Sequence, residues 1–397
     1  MQAHPGSGET GTGRGPARSF LSAKVGLVLA SALVSLVIIE VGFRLAAGLP
    51  VFKLANWRTE QVVMNTLGER ALVDPVLGWT LKPWNQSDDY STIDHGIRRS
   101  FDETAVRTGA ILAVGDSYTE GWEVDDDESW PAYLEKLTGM PVVNAGVGGY
   151  GTDQIVLRAE QMLAVVKPKI LLVGFLEYDI FRAGHSVFGA PKPYFTLANG
   201  ELRYHPPGRI ELRRPGGPLS SLAKTLRDPL GYSAAADYVL ARLHPSYWYS
   251  TSSRAQDRKV DIDAAAVTCA LLRRLKTATD RDDVKLMLFM QYYAPVVLAS
   301  DKPSYDAQRV LDCSQAMGIR VVDQFASLRT IAAADPGALR DYYMSNGALY
   351  SHMSAIGNEH AANLLAPALR DWLPLVTGSS QTAATPPSAG EASNATE

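Results

Sequence analysis

The chain has 397 residues, 46% of them hydrophobic and 20% charged, with a formal net charge of −4. This is globular composition, and without a Lys/Arg-rich run or aromatic–basic interleaving it excludes nucleic acid as a natural partner. The only two cysteines, Cys269 and Cys313, lie far apart with no CxxC, which excludes a cysteine metal knuckle and a thioredoxin-like site. They can pair in an oxidising compartment, but two inert buried thiols are the favoured expectation.

Residues 1–23 and 377–397 are rich in Gly, Ser, Thr and Pro. Neither stretch can bury enough apolar surface to offset its ordering entropy, so both are expected to be disordered. Between them, Val25–Ile39 is unbroken apolar sequence, and the apolar character resumes after Glu40 through Val41, Phe43 and Leu45. Residues 24–48 therefore read as one transmembrane helix. Glu40 and Arg44 stand four apart and can pair on one helix face. Arg14, Arg18 and Lys24 precede the segment, which puts the N-terminus in the cytoplasm and the rest outside the inner membrane. A cleaved signal peptide ending near Ala46-Ala47-Gly48 is the competing reading; an uncleaved single-pass anchor is the expectation. The helix is expected to span about 22–47 and to stand clear of the folded domain.

Residues 49–108 form a linker and leader region, and 109–376 the folded domain. Within it, Ala110–Val114 (AILAV), Pro141–Val143, Ile170–Phe175 (ILLVGF), Lys285–Met290 (KLMLFM) and Arg320–Val322 read as strands. Amphipathic segments alternate with them at Trp130–Leu137, Asp153–Val166, Ile262–Thr279, Tyr305–Met317 and from Ala355 toward Trp372, the last with a potential break at Pro367. This rhythm predicts an α/β three-layer sandwich around a five-stranded parallel sheet in flavodoxin-like order. Residues 185–260 interrupt it as an insertion. Tyr194–Tyr204, with Asn199-Gly200 at its centre, predicts a hairpin, and 216–245 reads as helical.

Three segments carry chemistry. Gly115-Asp116-Ser117-Tyr118-Thr119-Glu120-Gly121 follows the first strand, so the Ser117 hydroxyl lies at the open edge of the sheet, beside backbone N–H groups. It is not GxSxG, which excludes the α/β-hydrolase elbow; a plain Gly-Asp-Ser turn is the bland alternative. Asn144-Ala145-Gly146-Val147-Gly148-Gly149-Tyr150-Gly151 follows the second strand and permits close backbone approach to a ligand. Ser351-His352-Met353-Ser354-Ala355-Ile356-Gly357-Asn358 precedes the last helix, with His352 expected in a loop and Ser354 as N-cap. The other histidines show no metal-ligand spacing, so no metal or cofactor is expected.

In this order, the three segments resemble blocks I, II and V of the SGNH (GDSL-type) hydrolase superfamily. Asp74–Trp79 and Gly96-Ile97-Arg98 resemble the leader of its bacterial membrane-anchored members. The resemblance spans roughly residues 57–375. It implies Ser117 as nucleophile, the N–H groups of Ser117 and Gly149 as an oxyanion hole, and His352 as general base. Two positions depart from the pattern. Tyr178 stands where the family offers an Asn as a further oxyanion donor. Leu349 stands where it places an acid, three residues before the histidine. The sequence therefore predicts a Ser-His dyad with slow ester hydrolysis, Nδ1 of His352 facing a backbone carbonyl or water; the alternative is an acid supplied from elsewhere, such as Asp179 or Asp341. The implied activity is an esterase or O-acyltransferase on acyl esters of extracytoplasmic glycans. Tyr194, Phe195, Tyr204, Tyr247, Trp248 and Tyr249 are candidates to stack on sugars, or simply to pack the insertion. The alternative is a catalytically inactive binding or assembly subunit of an envelope polysaccharide system.

Overall fold

The computed structural model describes residues 17–52, 54, 57, 70–87, 89–208, 229–243, 248, 255–346 and 349–375. The disorder expected of 377–397 falls outside these residues, as does most of 1–23; its last part, 17–23, is helical. Contacts divide the chain into two units, residues 1–61 with 214–250 and residues 62–213 with 251–397.

In the first unit, α1 (Ala17–Ala46) is a 30-residue helix. Its stretch Lys24–Ala46, 23 residues, is apolar and long enough to cross a membrane, with a mean hydropathy of 2.4 over its most apolar 18 residues. The predicted Glu40–Arg44 pair forms, at 2.6 Å.

The second unit opens with an antiparallel hairpin, β1 (Ala71–Asp74) and β2 (Gly78–Leu81). Its turn is built by Asp74, whose carboxylate accepts from the N–H groups of Val76 and Leu77. Gly78 leaves the turn at φ +84, where a Cβ would sit 2.5 Å from the Pro191 carbonyl oxygen. The sheet core follows with β3 (Ile111–Val114), α2 (Ser117–Glu120), α3 (Trp130–Thr138), β4 (Val142–Asn144), α4 (Thr152–Val166), β5 (Ile170–Leu176) and α5 (Glu177–Ala183). The insertion begins with β6 (His185–Pro191) and the hairpin β7 (Tyr194–Ala198) and β8 (Glu201–His205). That hairpin turns at Asn199-Gly200, both at positive φ as the predicted two-residue turn requires. The insertion continues through α6 (Ala234–Leu243), which belongs to the first unit, and β9 (Ala255–Lys259), which pairs back to β6.

The rest is α7 (Ala264–Arg281), β10 (Lys285–Gln291), α8 (Tyr305–Ala316), β11 (Arg320–Asp323), α9 (Phe325–Ala334), the hairpin β12 (Tyr343–Asn346) and β13 (Leu349–Met353), and α10 (Ala355–Leu369). The main sheet is parallel with order β11-β10-β5-β3-β4. This is the flavodoxin-like arrangement that the alternating pattern predicts. β3 and β5 are wholly buried, as is β10 after Lys285. Covered faces explain why these strands are continuous apolar runs rather than alternating ones. Around the sheet, α3 packs with α10, and α7 with α4 and α8.

Three expectations are corrected. α10 is not broken at Pro367 but runs through it to Leu369; one lost N–H near a helix end is tolerated more easily than at its middle. His352 lies on β13, not in a loop. Cys269 and Cys313 are joined by a disulfide rather than left as thiols. α7 and α8 lie side by side and bring the two Cα atoms to 6.1 Å, a proximity that 44 residues of intervening sequence do not announce.

The disulfide closes a 44-residue loop, so its loss should lower unfolding stability by about 2–4 kcal/mol. Denaturant unfolding of wild type against the Cys269→Ser/Cys313→Ser double variant measures this. An unchanged midpoint would show that the sulfurs are not linked in the folded protein.

Candidate active site

The turn that carries Ser117 is made by its own sequence. Asp116 is the N-cap of α2 and accepts from the Tyr118 N–H at 2.9 Å. This places Ser117 at the first helical position, directly after β3, with its side chain at the carboxyl edge of the sheet. Behind it, Asn144 at the end of β4 donates to the carbonyls of Thr119 and Glu120 and accepts from the Gly146 N–H. The Glu120 carboxylate, fully buried, accepts from the Tyr90 hydroxyl at 2.7 Å and the Gly148 N–H at 2.5 Å. Burial pushes this carboxyl upward from its ordinary range, against the pull of Tyr90 and Arg98. The β2 hairpin closes the glycine loop from the other side, with the Trp79 indole donating to the Gly148 carbonyl at 3.0 Å. Both polar groups of Gly148 are thus tied down. Gly149 follows at φ +78. Among the described residues, neither the Ser117 nor the Gly149 N–H has an acceptor.

His352 meets Ser117 although 235 residues separate them: Nε2 lies 3.0 Å from the Ser117 Oγ. Ser117 is 5% exposed, so the hydroxyl is shielded but reachable. The other ring nitrogen, Nδ1, lies 3.0 Å from Oε2 of Glu123. The same oxygen accepts from the Ser351 hydroxyl at 2.6 Å. Burial alone would push the Glu123 carboxyl up, but the hydrogen bonds from Ser351 and His352 outweigh it and hold the carboxyl below its ordinary range.

This corrects the expected dyad. Nδ1 faces a carboxylate, not a carbonyl or water, and the carboxylate comes from neither Asp179 nor Asp341. Asp179 is fully buried and committed elsewhere: it accepts from Arg182 at 2.7 Å and from the Leu176 N–H at 2.8 Å. Burial, reinforced by the nearby Asp116 charge, pushes its carboxyl well up. Asp341 meets the site only through its backbone, where its carbonyl accepts from Ser354. The Leu349 side chain lies outside the described residues.

Glu123 reaches the histidine because its backbone sits at φ +70, a conformation that side chains other than glycine rarely adopt. Arg98 holds it there. Its guanidinium, buried with the rest of the residue, donates to the carbonyls of Glu120, Gly121, Val124 and Asp89 and to the Asp126 carboxylate. No periodicity singles Glu123 out from its acidic neighbours Glu120, Asp125, Asp126, Asp127 and Glu128. The signals available were indirect: the empty acid position at Leu349, and a dense carboxylate run directly after the serine.

Aromatic rings extend outward from the site. Tyr118 lies 5.6 Å from the His352 ring and 5.7 Å from Tyr293, which in turn meets Tyr178 at 5.8 Å. Tyr178 stacks on Phe181 at 5.0 Å and covers the Arg182 guanidinium. The aromatics proposed from the insertion lie elsewhere or are occupied. Phe195 and Trp248 are buried, and Tyr194 stacks on His205. Tyr204 hydrogen-bonds the Val76 carbonyl, and Tyr247 and Tyr249 lie outside the described residues. Beside Glu123 there is instead a cleft of about 540 Å³ lined by Arg70, Asn85, Gln86, Asp89, Trp122 and neighbouring residues. Among the described residues, no cluster of His, Cys, Asp or Glu could hold a metal ion.

No protein-family model matches the chain, and no curated protein matches it. Solved structures similar to it include a psychrotrophic esterase from Pseudoalteromonas sp., 12% identical, covering 67% of this chain and 99% of that one at a TM-score of 0.37. A lipase/acylhydrolase from Enterococcus faecalis is 14% identical over 66% of this chain and 96% of that one, with a TM-score of 0.36. A catalytic mutant of an acetylxylan esterase from Geobacillus stearothermophilus is 14% identical over 68% and 95%, again at 0.36. The likeness is remote in sequence and in superposition; the distances among Ser117, His352 and Glu123 are the stronger observation.

The Ser117–His352–Glu123 line makes a direct demand. Glu123→Gln keeps the shape but removes the charge that favours the Nδ1–H tautomer, so kcat on a simple aryl acetate should fall by about 100- to 10,000-fold. Activity within threefold of wild type would remove Glu123 from the catalytic set.

Proposed function

We propose that this chain is a membrane-anchored serine esterase or O-acyltransferase of the SGNH type, acting on acyl esters of extracytoplasmic glycans. The observation that carries the reading is the unbroken run of hydrogen-bond distances from Ser117 Oγ through both ring nitrogens of His352 to Glu123.

In the neutral tautomer with Nδ1–H donated to Glu123, Nε2 is free to accept the Ser117 proton. The Ser117 oxygen then attacks the ester carbonyl. The oxygen of the tetrahedral intermediate turns toward the unengaged N–H groups of Ser117 and Gly149. When the intermediate collapses, the proton on Nε2 passes to the departing alkoxide, leaving an acyl group on Ser117. Water or a second hydroxyl, deprotonated by His352, removes that group and gives hydrolysis or transfer. Tyr178 holds the place of the Asn donor and packs against Phe181, so two backbone donors serve the oxyanion.

With Glu123 in place, slow hydrolysis is no longer the expectation, because the imidazolium formed during attack has its counter-charge. The glycan part of the reading is supported by the cleft beside Glu123. Amides, a carboxylate, a guanidinium and an indole are the groups that recognise sugar hydroxyls and sugar faces. Export is supported by the apolar N-terminal helix with basic residues before it, and by the disulfide, which persists in oxidising compartments.

A fluorophosphonate probe should label the wild-type chain at Ser117. Ser117→Ala should abolish labelling and lower ester turnover by about 10,000-fold or more. Release of acetate from an acetylated glycan, measured with and without a sugar acceptor, then separates hydrolysis from transfer. A wild-type protein that neither labels nor turns over any ester would leave the binding or assembly subunit as the correct reading.

A further inference from the structure

α1 is not isolated at its C-terminal end, where it meets α6 of the same unit. Glu40 reaches sideways to the start of α6, 193 residues on. Its carboxylate accepts from the Ser233 hydroxyl at 2.6 Å and from the N–H groups of Ala234 and Ala235 at 2.9 and 3.2 Å. Arg44 completes the joint. It donates to Glu40, to the carbonyls of Pro50 and Val51 where the chain leaves α1, and to the Tyr232 carbonyl just before α6. Higher up, the Phe43 and Tyr238 rings meet at 5.1 Å. The two contacts, Glu40 with Ala234 and Phe43 with Tyr238, fix α6 as running alongside α1 in the same direction.

These contacts also fix its level. Glu40 lies about 9 Å along the helix before Ala46, where the apolar span ends. α6 therefore starts within the depth of the span and leaves it toward the exported side. One face of α6 is used internally: Ala234 and Asp237 are buried, and Asp237 accepts from the Trp248 indole at 2.6 Å. Its other face is apolar and uncovered, with Val239 47% and Leu243 68% exposed. Tyr232 and Tyr238 add half-exposed rings, and Arg242 lays its guanidinium over Tyr238 at 3.4 Å. Aromatic rings and a folded-back arginine at the end of a span are what the boundary between lipid headgroups and acyl chains selects.

We infer that α6 is a second membrane element: a half-helix seated in the outer leaflet against α1, its Tyr238–Val239–Leu243 face toward lipid. The uncovered face continues the lipid-facing surface of α1, whose apolar residues from Val25 to Ile39 are exposed along its length. It also explains a carboxylate within a span. Glu40 is neutralised by Arg44 and takes up α6 N–H groups that would otherwise be unsatisfied in hydrocarbon. The inference rests on the reading of α1 as a membrane anchor.

The test uses the full chain in phosphatidylcholine–phosphatidylglycerol vesicles. Both native cysteines are taken up by the disulfide, so a single introduced cysteine carries a nitroxide without interference. Labels at Val239→Cys, at Ala30→Cys in mid-span and at Glu201→Cys on the β7–β8 turn are compared for relaxation by oxygen and by a water-soluble nickel chelate. The oxygen-to-nickel ratio at 239 should fall below that at 30, as its place near the end of the span requires, and exceed that at 201 several-fold, and Glu40→Ala should lower it. A ratio at 239 equal to that at 201 would place α6 in water and overturn the inference. Exclusion of both relaxers would overturn it too, by showing a protein neighbour on that face. A water-like ratio at position 30 would instead bring down the anchor reading itself.

Discussion

Arg98 buries a guanidinium against the Tyr90 ring. Desolvating such a charge costs several kcal/mol unless its donors are matched, and here they meet four backbone carbonyls and one carboxylate. The carbonyls of Gly121 and Val124 flank Glu123, so the clamp that satisfies Arg98 also fixes the unfavourable backbone turn that aims Glu123 at His352. Its ring partner Tyr90, 4.1 Å away, hydrogen-bonds Glu120, and Glu120 in turn holds Gly148. One buried cation thus connects the leader region, the Ser117 turn and the glycine loop. The leader segment that carries Tyr90 and Arg98 is part of the site's framework rather than a spacer.

The sheet order supplies the rest. β3 lies between β4 and β5, and the order reverses direction there, so connections diverge at β3 and leave a crevice at its carboxyl end. Ser117 follows β3, the Gly148-Gly149 loop follows β4 and Tyr178 follows β5. His352 is not on this sheet. A separate hairpin, β12–β13, carries it to the edge, where the Tyr118 hydroxyl donates to the Ser351 carbonyl at 3.2 Å. The crevice therefore has a rigid floor of strand ends and a wall contributed by a hairpin.

How much of the fold and site was legible depends on the kind of signal each feature leaves. Buried parallel strands must be apolar on both faces, so AILAV, ILLVGF and KLMLFM announced the sheet and its order. The serine and the glycine loop sit in strand-to-helix turns whose short-range chemistry is written locally, and His352 sits just before the Ser354 cap. Glu123 left no local mark, because its role depends on a backbone twist imposed by Arg98 and on a histidine 229 residues away. The Cys269–Cys313 bond and the Glu40–Ser233 contact were silent for the same reason: each requires two helices to be placed first. The β12–β13 hairpin lacks a strong alternation, and it read as loop although Asn346-Gly347, the same pair that marks the insertion hairpin, stands where its first strand ends.

The charges of the site fall into two kinds, and the division bears on how it can work. Asp116, Arg182 and Asp179 form a buried cluster in which one guanidinium nitrogen bridges both carboxylates at 2.8 and 2.7 Å. One guanidinium there faces two carboxylates, and burial together with the Asp116 charge pushes the Asp179 carboxyl well up; closed off from solvent, the cluster is suited to holding α5 against the Ser117 turn. His352 and Glu123 are different. Their side chains are 25% and 37% exposed, and water can follow a change of charge on the ring. In the proposed mechanism the base becomes imidazolium and reverts in each turnover, which that polar surrounding permits. Solvent also weakens the pair, since screening reduces its Coulomb attraction. The second acceptor bond from Ser351 and the rigid Arg98 loop offset this weakness by geometry: the carboxylate is held on the Nδ1 line by the backbone beneath it rather than by the strength of its own ion pair.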